Sequence, residues 1–302
     1  MELITKIELN SSPSNIIELK DGNYALTLDK ATLILNKETF KIIDQLDNHE
    51  KKINRVMETK NRKLITISED KTMVVNELDE NNHYKLIQRV NEPDKINSII
   101  ELSTGEILTC NCDENIRIYD YNKEKNIFEL NYAYNVKEIV THVAEAKNGK
   151  IFLLTFEGDD NLLKLYSYSL EKKKIEKMLL THGSICWNNN ESMLNISDKF
   201  LAINLFNTIA IIDKENISVF QEFSLLKDFI DRIGLFKSNN SIIFSTLMGK
   251  KYIWESNEDN IWELNEDIDL SILKGENKCY LQNSRGELLV GIGKGLKIFK
   301  IE

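Results

Sequence analysis

The cysteines and histidines are the residues of this sequence with the most versatile side-chain chemistry, and there are four of each. Cys110 and Cys112 are separated by one residue, so on a β-strand their side chains point to the same face. Structural zinc sites use C-x-x-C spacings with a second Cys or His pair nearby, and neither Cys186 nor Cys279 supplies one. The spacing therefore predicts thiols that pack as small hydrophobic groups, and no metal site.

The remaining reactive motifs are also incomplete. The histidines His49, His83, His142 and His182 stand far apart, and no G-x-S-x-G sequence marks a nucleophile. Gly291–Gly295 is glycine-rich but has no helix pattern after it, which predicts a hairpin turn rather than a phosphate-binding loop. Glu157–Asn161 lacks the ligand spacing of a calcium loop. We predict no catalytic residue, no metal ligand and no cofactor.

The charge balance argues against a nucleic-acid partner. Of 302 residues, 39 are Lys or Arg and 48 are Asp or Glu, a formal net charge of −9. Broad nucleic-acid binding requires a basic face.

The few cysteines argue against a disulfide framework. Neither a signal-peptide pattern nor a membrane-span-length apolar run is present. We predict a soluble, cytoplasmic protein, with the nucleus left open as a location.

Short apolar runs recur along the chain, each preceded by a turn rich in Asn, Asp, Gly or Ser, and long helical periodicity is missing. The seven runs are YALTL, KLITIS, EILTC, KIFLLTF, FLAINL, SIIFSTL and ELLVGIG. Their alternating or continuous apolar patterns are typical of strands. Their spacing is close to the ~40–45 residues of a four-stranded repeat. The sequence therefore predicts an all-β fold of seven repeats.

A second series of turns follows a later strand in each repeat, and it has six members instead of seven. The last repeat ends at Ile298–Glu302, after three strands, whereas Leu3–Leu9 is a strand-like run that belongs to no repeat. We predict that this N-terminal run pairs beside the final strand and supplies the missing fourth one. Such closure removes the free edges of an open sheet.

The predicted architecture is one domain, residues 1–302, folded as a seven-bladed β-propeller of four-stranded antiparallel blades. The N-terminal strand, residues 2–10, completes the last blade. The predicted blades are 14–48, 49–92, 93–136, 137–182, 183–226, 227–268 and 269–302.

Two of the repeats carry a recognisable pattern. Ser68–Val75 and Asn111–Asp120 resemble the S-x-D-x-T-I-x-V-W-D stretch of WD40 repeats, and Asn48-His49 resembles the G-H pair of that family. The sequence therefore resembles a divergent WD40-like repeat protein. The resemblance implies a hydrogen-bonded network that pins each blade, with His49, Ser68 and Asp70 in one blade and Asp113 in the next. Asn76 stands where the family has Trp, which shortens this network.

In a propeller, the connections between blades and the turns between second and third strands lie on one rim. Loops on a rigid scaffold commonly carry function, and apolar anchors within a polar ring suit a protein interface. We therefore predict that this rim binds a partner through Lys52, Glu69, Lys71, Lys95, Glu114, Lys137, Trp187, Phe206, Met248, Lys250 and Lys294.

These observations predict a non-catalytic scaffold or adaptor that holds a protein or peptide, as a monomeric subunit of a larger assembly. Two alternatives remain open at this point. One is an enzyme with its active site in the central channel. The other is recognition of a modified peptide or an anionic ligand by rim lysines such as Lys52, Lys71, Lys95, Lys137 and Lys250.

Overall fold

The structure is a computed structural model, and it describes residues 1–146, 149–157, 162–183, 193–205, 207–224, 230–236, 241–246, 250–257, 261–265, 270, 273 and 277–301. Its strands form seven antiparallel sheets of four strands each. The chain divides into two compact units, Ile17–Gly183 and Met1–Ile16 together with Ser184–Glu302. In these residues no helix is both long and apolar enough to cross a membrane.

The four sheets nearest the N-terminus are each built from four consecutive strands. Sheet 1 contains β2 (Pro13–Glu18), β3 (Tyr24–Leu28), β4 (Ala31–Leu35) and β5 (Ile42–Leu46). Sheet 2 contains β6 (Ile53–Glu58), β7 (Leu64–Ser68), β8 (Thr72–Leu78) and β9 (Tyr84–Asn91). Sheet 3 contains β10 (Ile96–Glu101), β11 (Ile107–Asn111), β12 (Asn115–Asn122) and β13 (Ile127–Asn135). Sheet 4 contains β14 (Ile139–Glu145), β15 (Lys150–Glu157), β16 (Leu162–Ser169) and β17 (Lys174–Gly183).

The other three sheets follow the same order, except that the last takes its fourth strand from the N-terminus. Sheet 5 contains β18 (Met193–Asn195), β19 (Phe200–Asn204), β20 (Thr208–Asp213) and β21 (Ser218–Ser224). Sheet 6 contains β22 (Ile230–Phe236), β23 (Ser241–Thr246), β24 (Lys251–Ser256) and β25 (Trp262–Asn265). Sheet 7 contains β26 (Asn277–Gln282), β27 (Glu287–Ile292), β28 (Gly295–Lys300) and β1 (Glu2–Glu8).

The predicted hairpin at Gly291–Gly295 is present between β27 and β28. Ile292 pairs with Gly295 across a two-residue turn, and Gly293 takes a left-handed φ of 55°. The Lys294 carbonyl accepts the Leu9 amide at 2.9 Å, just past the end of β1.

The core lies between the faces of successive sheets, because the middle strands are apolar on both sides. All five residues of β7, β11 and β19 are buried. Ile65 and Ile67 of sheet 2 pack with Ile96 and Ile107 of sheet 3 in one apolar cluster. Trp262, only 1% exposed, joins residues of sheets 5 and 6 in another. Such burial of both faces is what selects continuous apolar runs over alternating ones.

Side chains at the end of each first strand latch neighbouring sheets together. Glu58, Glu101 and Glu145 are the last residues of β6, β10 and β14. Each carboxylate accepts a backbone amide from the turn of the preceding sheet, with N···Oε2 distances of 2.6 Å from Lys20, 2.7 Å from Lys60 and 2.8 Å from Ser103. Charge-assisted bonds of this kind are stronger than neutral ones.

A second latch uses amide side chains. Asn54 and Asn97 lie at bulges in β6 and β10. Their Nδ2 atoms donate to the carbonyls of Ile96 and Val140 in the next sheet, at 2.7 and 2.9 Å. A bulge re-aims its extra residue away from the strand ladder, and here the extra residue satisfies a carbonyl on a neighbouring strand edge.

The β1–β28 pairing can be tested by cross-linking, because its register places Lys6 opposite Lys297. We expect Lys6→Cys/Lys297→Cys to form a disulfide under mild oxidation, identified by mass spectrometry of linked tryptic peptides. Closing so long a loop should add about 2–5 kcal/mol to the free energy of unfolding.

Lys6→Cys/Lys300→Cys is the matched control for this cross-link, because Lys300 pairs with Glu2 and lies roughly 10 Å further along the strand. Equal cross-linking yields from the two variants would contradict the register.

Candidate functional site

The loops predicted to form a rim are joined to one another within the unit Ile17–Gly183. Each connection between sheets bonds the turn between a second and third strand through backbone groups. The amide-to-carbonyl distances are Glu69 to Lys52 2.9 Å, Glu92 to Lys71 2.8 Å, Cys112 to Lys95 3.0 Å and Val136 to Glu114 2.8 Å. These bonds hold the turns of sheets 2 and 3, and the connections that run from sheet 1 through to sheet 4, as one connected surface, which we call the rim.

The predicted partner-binding residues of this unit all have solvent access. Lys71, Glu114 and Lys137 are exposed, and Lys52, Glu69 and Lys95 are partly buried. Lys71 Nζ donates to the Pro93 carbonyl at 3.0 Å and lies 3.3 Å from Asp94 Oδ1. In the other unit, Lys250 and Lys294 are exposed. Trp187, Phe206 and Met248 lie outside the described residues.

Three of the rim residues adopt left-handed backbone conformations. The φ angles are 69° at Lys71, 64° at Glu114 and 68° at Lys137. Glycine takes such angles without strain, whereas side-chain-bearing residues pay a steric penalty. Residues kept in sparsely populated regions are concentrated at functional sites. The rim therefore keeps charged side chains where glycine would relax the backbone.

The sequence interpretation missed one part of the rim. The turn between β3 and β4, Asp29–Lys30, belongs to it, because the Asp29 carbonyl accepts the Ile53 amide at 2.6 Å. Lys30 is exposed, and Asp29 has a left-handed φ of 45°. The signal was present as two charged residues between the apolar runs YALTL and ATLIL.

Beneath the rim in sheet 2, His49 is the centre of a buried polar network. Its Nδ1 lies 2.9 Å from Asp70 Oδ2, and its Nε2 lies 2.8 Å from Thr66 Oγ1. Thr72 Oγ1 donates to Asp70 Oδ1 at 2.6 Å. Ser68, which the resemblance assigned to the network, accepts the Asp70 amide at 3.1 Å and donates to the Lys51 carbonyl at 3.1 Å. Thr66 provides the hydroxyl that contacts His49.

Burial determines the charge state of this network. Loss of hydration lowers the pKa of His49 below its ordinary value, against the opposing pull of Asp70. Burial also opposes ionisation of Asp70, but hydrogen bonds from Thr72 and the Glu50 amide dominate and lower its pKa. A neutral His49 must then carry its proton on Nδ1, donating to the carboxylate, and accept the Thr66 hydroxyl at Nε2.

Sheet 3 has a buried polar network at the same position, built from different residues. Glu92 stands four residues before β10, as His49 stands four before β6, and Asp113 occupies the turn position of Asp70. Two facing carboxylates would repel, but Arg117 lies between them. Its Nε is 3.1 Å from Glu92 Oε2 and its Nη1 is 3.1 Å from Asp113 Oδ1. Tyr119 donates its hydroxyl to Glu92.

The pKa values of this second network agree with that arrangement. Burial raises the pKa of Glu92, with Arg117 and the Tyr119 hydrogen bond opposing the shift. For Asp113, burial is outweighed by the bonds from Arg117, and its pKa is lowered. Arg117 pairs with Thr109 across β11 and β12, where sheet 2 has Val74 opposite Thr66.

Sheet 4 uses a third combination. Glu138, directly before β14, accepts Lys164 Nζ at 2.9 Å and the Tyr166 hydroxyl at 3.0 Å. Lys164 also pairs with Glu157, at the end of β15. Burial opposes ionisation of Glu138, but bonds from Thr155 and Lys164 lower its pKa. A carboxylate, a cation and a tyrosine hydroxyl thus hold the rim of both sheets 3 and 4.

Cys110 and Cys112 are thiols that form no disulfide in the part of the chain that the structure describes. Cys110 is buried, and burial raises its pKa. Cys112 is half-buried, with its Sγ 3.3 Å from Asn97 Nδ2. Across the ranges that the structure describes, no three His, Cys, Asp or Glu side chains are placed to hold a metal ion.

The His49 network predicts a pH-dependent stability. Because the pKa of His49 is lowered on folding, its contribution is complete above about pH 6.5 and declines as the pH falls below that value. Denaturant unfolding at pH 7.5 and 5.5 should therefore show that His49→Asn destabilises the protein by about 1 kcal/mol more at the higher pH. His83→Asn is the control, since His83 is exposed. A pH-independent effect of His49→Asn would contradict the neutral assignment.

The sheet 3 network predicts a strong effect of removing its cation. Arg117→Met leaves Glu92 and Asp113 without their shared partner and should lower the free energy of unfolding by about 3–5 kcal/mol. Adding Glu92→Gln should recover at least half of that loss. Lys125→Met, which removes an exposed cation paired with Glu129, should cost less than about 1 kcal/mol. Denaturant titrations of these variants, of Glu92→Gln alone and of the original protein measure these values, and additive effects of Arg117→Met and Glu92→Gln would exclude the coupling.

The fold just described is shared with known β-propellers. No protein-family model and no curated protein sequence matches the chain. Among solved structures, the Myceliophteria thermophila Cps50 (Swd1) β-propeller domain is similar to it with a TM-score of 0.76 at 12% identity, over 100% of this chain and 99% of that chain. U3-55K gives a TM-score of 0.75 at 11% identity, over 99% of both chains. The RRP9 WD40 repeats give 0.75 at 9% identity, over 100% of this chain and 99% of that one.

At identities this low, the likeness carries information about the fold alone. It covers the whole chain, and the seven four-stranded sheets with β1 in the last of them have the predicted order. The predicted all-β fold class and the structural resemblance to WD40 propellers are therefore confirmed: the chain has the fold of a seven-bladed β-propeller.

Proposed function

We propose that this protein is a non-catalytic interaction scaffold that binds a protein or peptide partner through its rim. The observation that carries the proposal is the left-handed conformation of Lys71 and Glu114, at the tips of neighbouring rim turns. Both side chains are exposed and charged. Exposed charged residues also take left-handed angles in turns away from the rim, at Arg62 and Lys173. Lys71 and Glu114 differ from these because their turns are joined by backbone hydrogen bonds into one surface.

The construction of the rim supports this proposal. Backbone hydrogen bonds join its loops, and the polar networks of His49, Glu92 and Glu138 hold them from below. A surface that is ordered before binding loses less conformational entropy on association. Charged groups on such a rim give specificity and fast association more than raw affinity.

The WD40 propellers of similar structure also support an interaction role. The fold hosts many functions, so the likeness makes protein binding the first expectation for this chain but names no partner. Trp187, Phe206 and Met248 lie outside the described residues and remain predicted apolar anchors for the partner. A place for the chain as one subunit in a larger cytoplasmic assembly also remains a prediction.

Glycine substitutions separate partner binding from folding at this rim. We expect Lys71→Gly/Glu114→Gly to keep the free energy of unfolding within about 1 kcal/mol of the original protein, because relief of the left-handed strain offsets the lost surface contacts. Recovery of co-purifying partners from the source cells, measured by quantitative mass spectrometry, should fall about five-fold, equivalent to about 1 kcal/mol.

Lys173→Gly is the matched control, since Lys173 is also an exposed lysine with a left-handed φ, of 52°, in the turn before β17 and away from the rim. Its partner recovery should equal that of the original protein. If Lys71→Gly/Glu114→Gly folds normally and recovers its partners unchanged, the rim is not the interaction surface.

A further inference from the structure

A second surface of the unit Ile17–Gly183 carries exposed apolar side chains. The exposed large hydrophobic residues of this unit, as far as the structure describes it, are Ile42, Ile43, Leu86, Leu130 and Met178, with exposures of 44–55%. All of them lie on the fourth strands β5, β9, β13 and β17. We call the exposed side chains of these four strands the outer-strand face. Single exposed apolar residues are ordinary, but here they recur on four successive strands of the same kind.

The position of these residues within their strands also repeats. Ile42, Leu86, Leu130 and Met178 each lie beside a β-bulge, where the pairing with the third strand shifts register. Bulges interrupt the row of edge hydrogen-bonding groups and protect an edge strand against strand addition. A partner of this face must therefore be recognised by side chains rather than by extending the sheet.

The charges on the outer-strand face are of one sign. Its exposed charged residues are Lys85 and Arg89 on β9 and Lys174 and Lys177 on β17. This stands out in a protein of net charge −9. Of these residues, Arg89 is already occupied, because it donates to the Asn48 carbonyl and to Thr72 Oγ1.

The three acidic residues of the same strands are already occupied. Asp44 accepts the Tyr84 amide at 2.9 Å, Glu129 pairs with Lys125 at 2.7 Å, and Glu176 pairs with Lys172 at 2.8 Å. The face is therefore apolar and cationic together.

The outer strands of the other unit differ. Their exposed charged residues are Glu2 and Glu8 on β1, Glu222 on β21 and Glu263 on β25, with Lys6 as the one exposed cation in the described residues and paired to Glu8. Edge protection alone would call for lysines on every outer strand. Exposed apolar residues also occur on these strands, at Leu3, Ile4, Phe220 and Leu264. What distinguishes the unit Ile17–Gly183 is therefore the cationic charge beside such residues on β9 and β17.

We propose that the outer-strand face binds an acidic amphipathic helix of a partner protein. The helix would set its apolar stripe on Leu86, Leu130 and Met178 and its carboxylates against Lys85 and Lys177. A helix presents apolar and charged residues on separate stripes, which matches a face with both. This surface is separate from the rim, so the proposal stands whether or not the rim binds a partner.

A synthetic helical peptide with a leucine stripe flanked by glutamates is the probe. Fluorescence anisotropy should show binding to the full-length protein that weakens about ten-fold in Lys85→Glu/Lys177→Glu, as two reversed surface charges imply. Leu86→Ser/Leu130→Ser should weaken it about five-fold through lost apolar burial. Raising the salt concentration should weaken binding to the original protein.

Two control variants carry the same charge reversals and the same apolar truncations at positions outside the outer-strand face. Lys123→Glu/Lys300→Glu and Phe220→Ser/Leu264→Ser should bind within about two-fold of the original protein. A peptide with lysine in place of glutamate should not bind. The rim variant Lys71→Gly/Glu114→Gly should bind the peptide normally, which separates this proposal from the rim function.

Several results would overturn the proposal. They are the absence of peptide binding up to millimolar concentration, equal binding of the lysine peptide, and equal losses in test and control variants. Sedimentation velocity provides one further test. If the original protein self-associates and Lys85→Glu/Lys177→Glu is monomeric, the face pairs with a second copy and not with a partner helix.

Discussion

The antiparallel pairing of β1 with β28 is the constraint on which the seventh sheet depends. Three strands of that sheet come from the C-terminal end of the chain and the fourth comes from the N-terminal end. Without β1, the backbone groups of β28 would face solvent as an unpaired edge, which is the usual starting point for aggregation. The Lys294 carbonyl accepts the Leu9 amide and so links this strand pair to the turn between β27 and β28. The pairing of β1 therefore also fixes the conformation of that turn.

Within the unit Ile17–Gly183, polar contacts hold neighbouring sheets together, and each contact contributes little free energy by itself. A net hydrogen bond contributes about 1 kcal/mol, but an unpaired buried group costs more than that. The networks around His49, Glu92 and Glu138 show that each buried polar group needs a hydrogen-bond partner, whichever residue supplies it. A neutral imidazole between a carboxylate and a hydroxyl does in sheet 2 what a guanidinium between two carboxylates does in sheet 3.

Much of the fold was predictable because its signals are local. Turn residues such as Asp21-Gly22 and apolar runs such as YALTL indicate strand ends directly. The run Leu3–Leu9 belonged to no repeat, and only the last repeat lacked a fourth strand. The contacts of the polar networks were not predictable in the same way. Thr66 and Ser68 are both hydroxyl residues on one strand, and only the register decides which of them meets His49. The role of Arg117 depends on Glu92, 25 positions away, and the WD40 stretch that the sequence resembles does not extend back to Glu92.

The latches at the ends of the first strands bear on how such a chain arises and diverges. Sheet 2 contributes Glu58 to its joint with sheet 1 and the Lys60 amide to its joint with sheet 3, and sheet 3 contributes Glu101 and the Ser103 amide in the same way. Sheets 2 and 3 thus each carry one half of a joint on either side. Tandem duplication of a gene segment that encodes one such sheet creates a working joint at once, with no compensating mutation. Afterwards the copies are free to drift everywhere except at the joint and the buried strands.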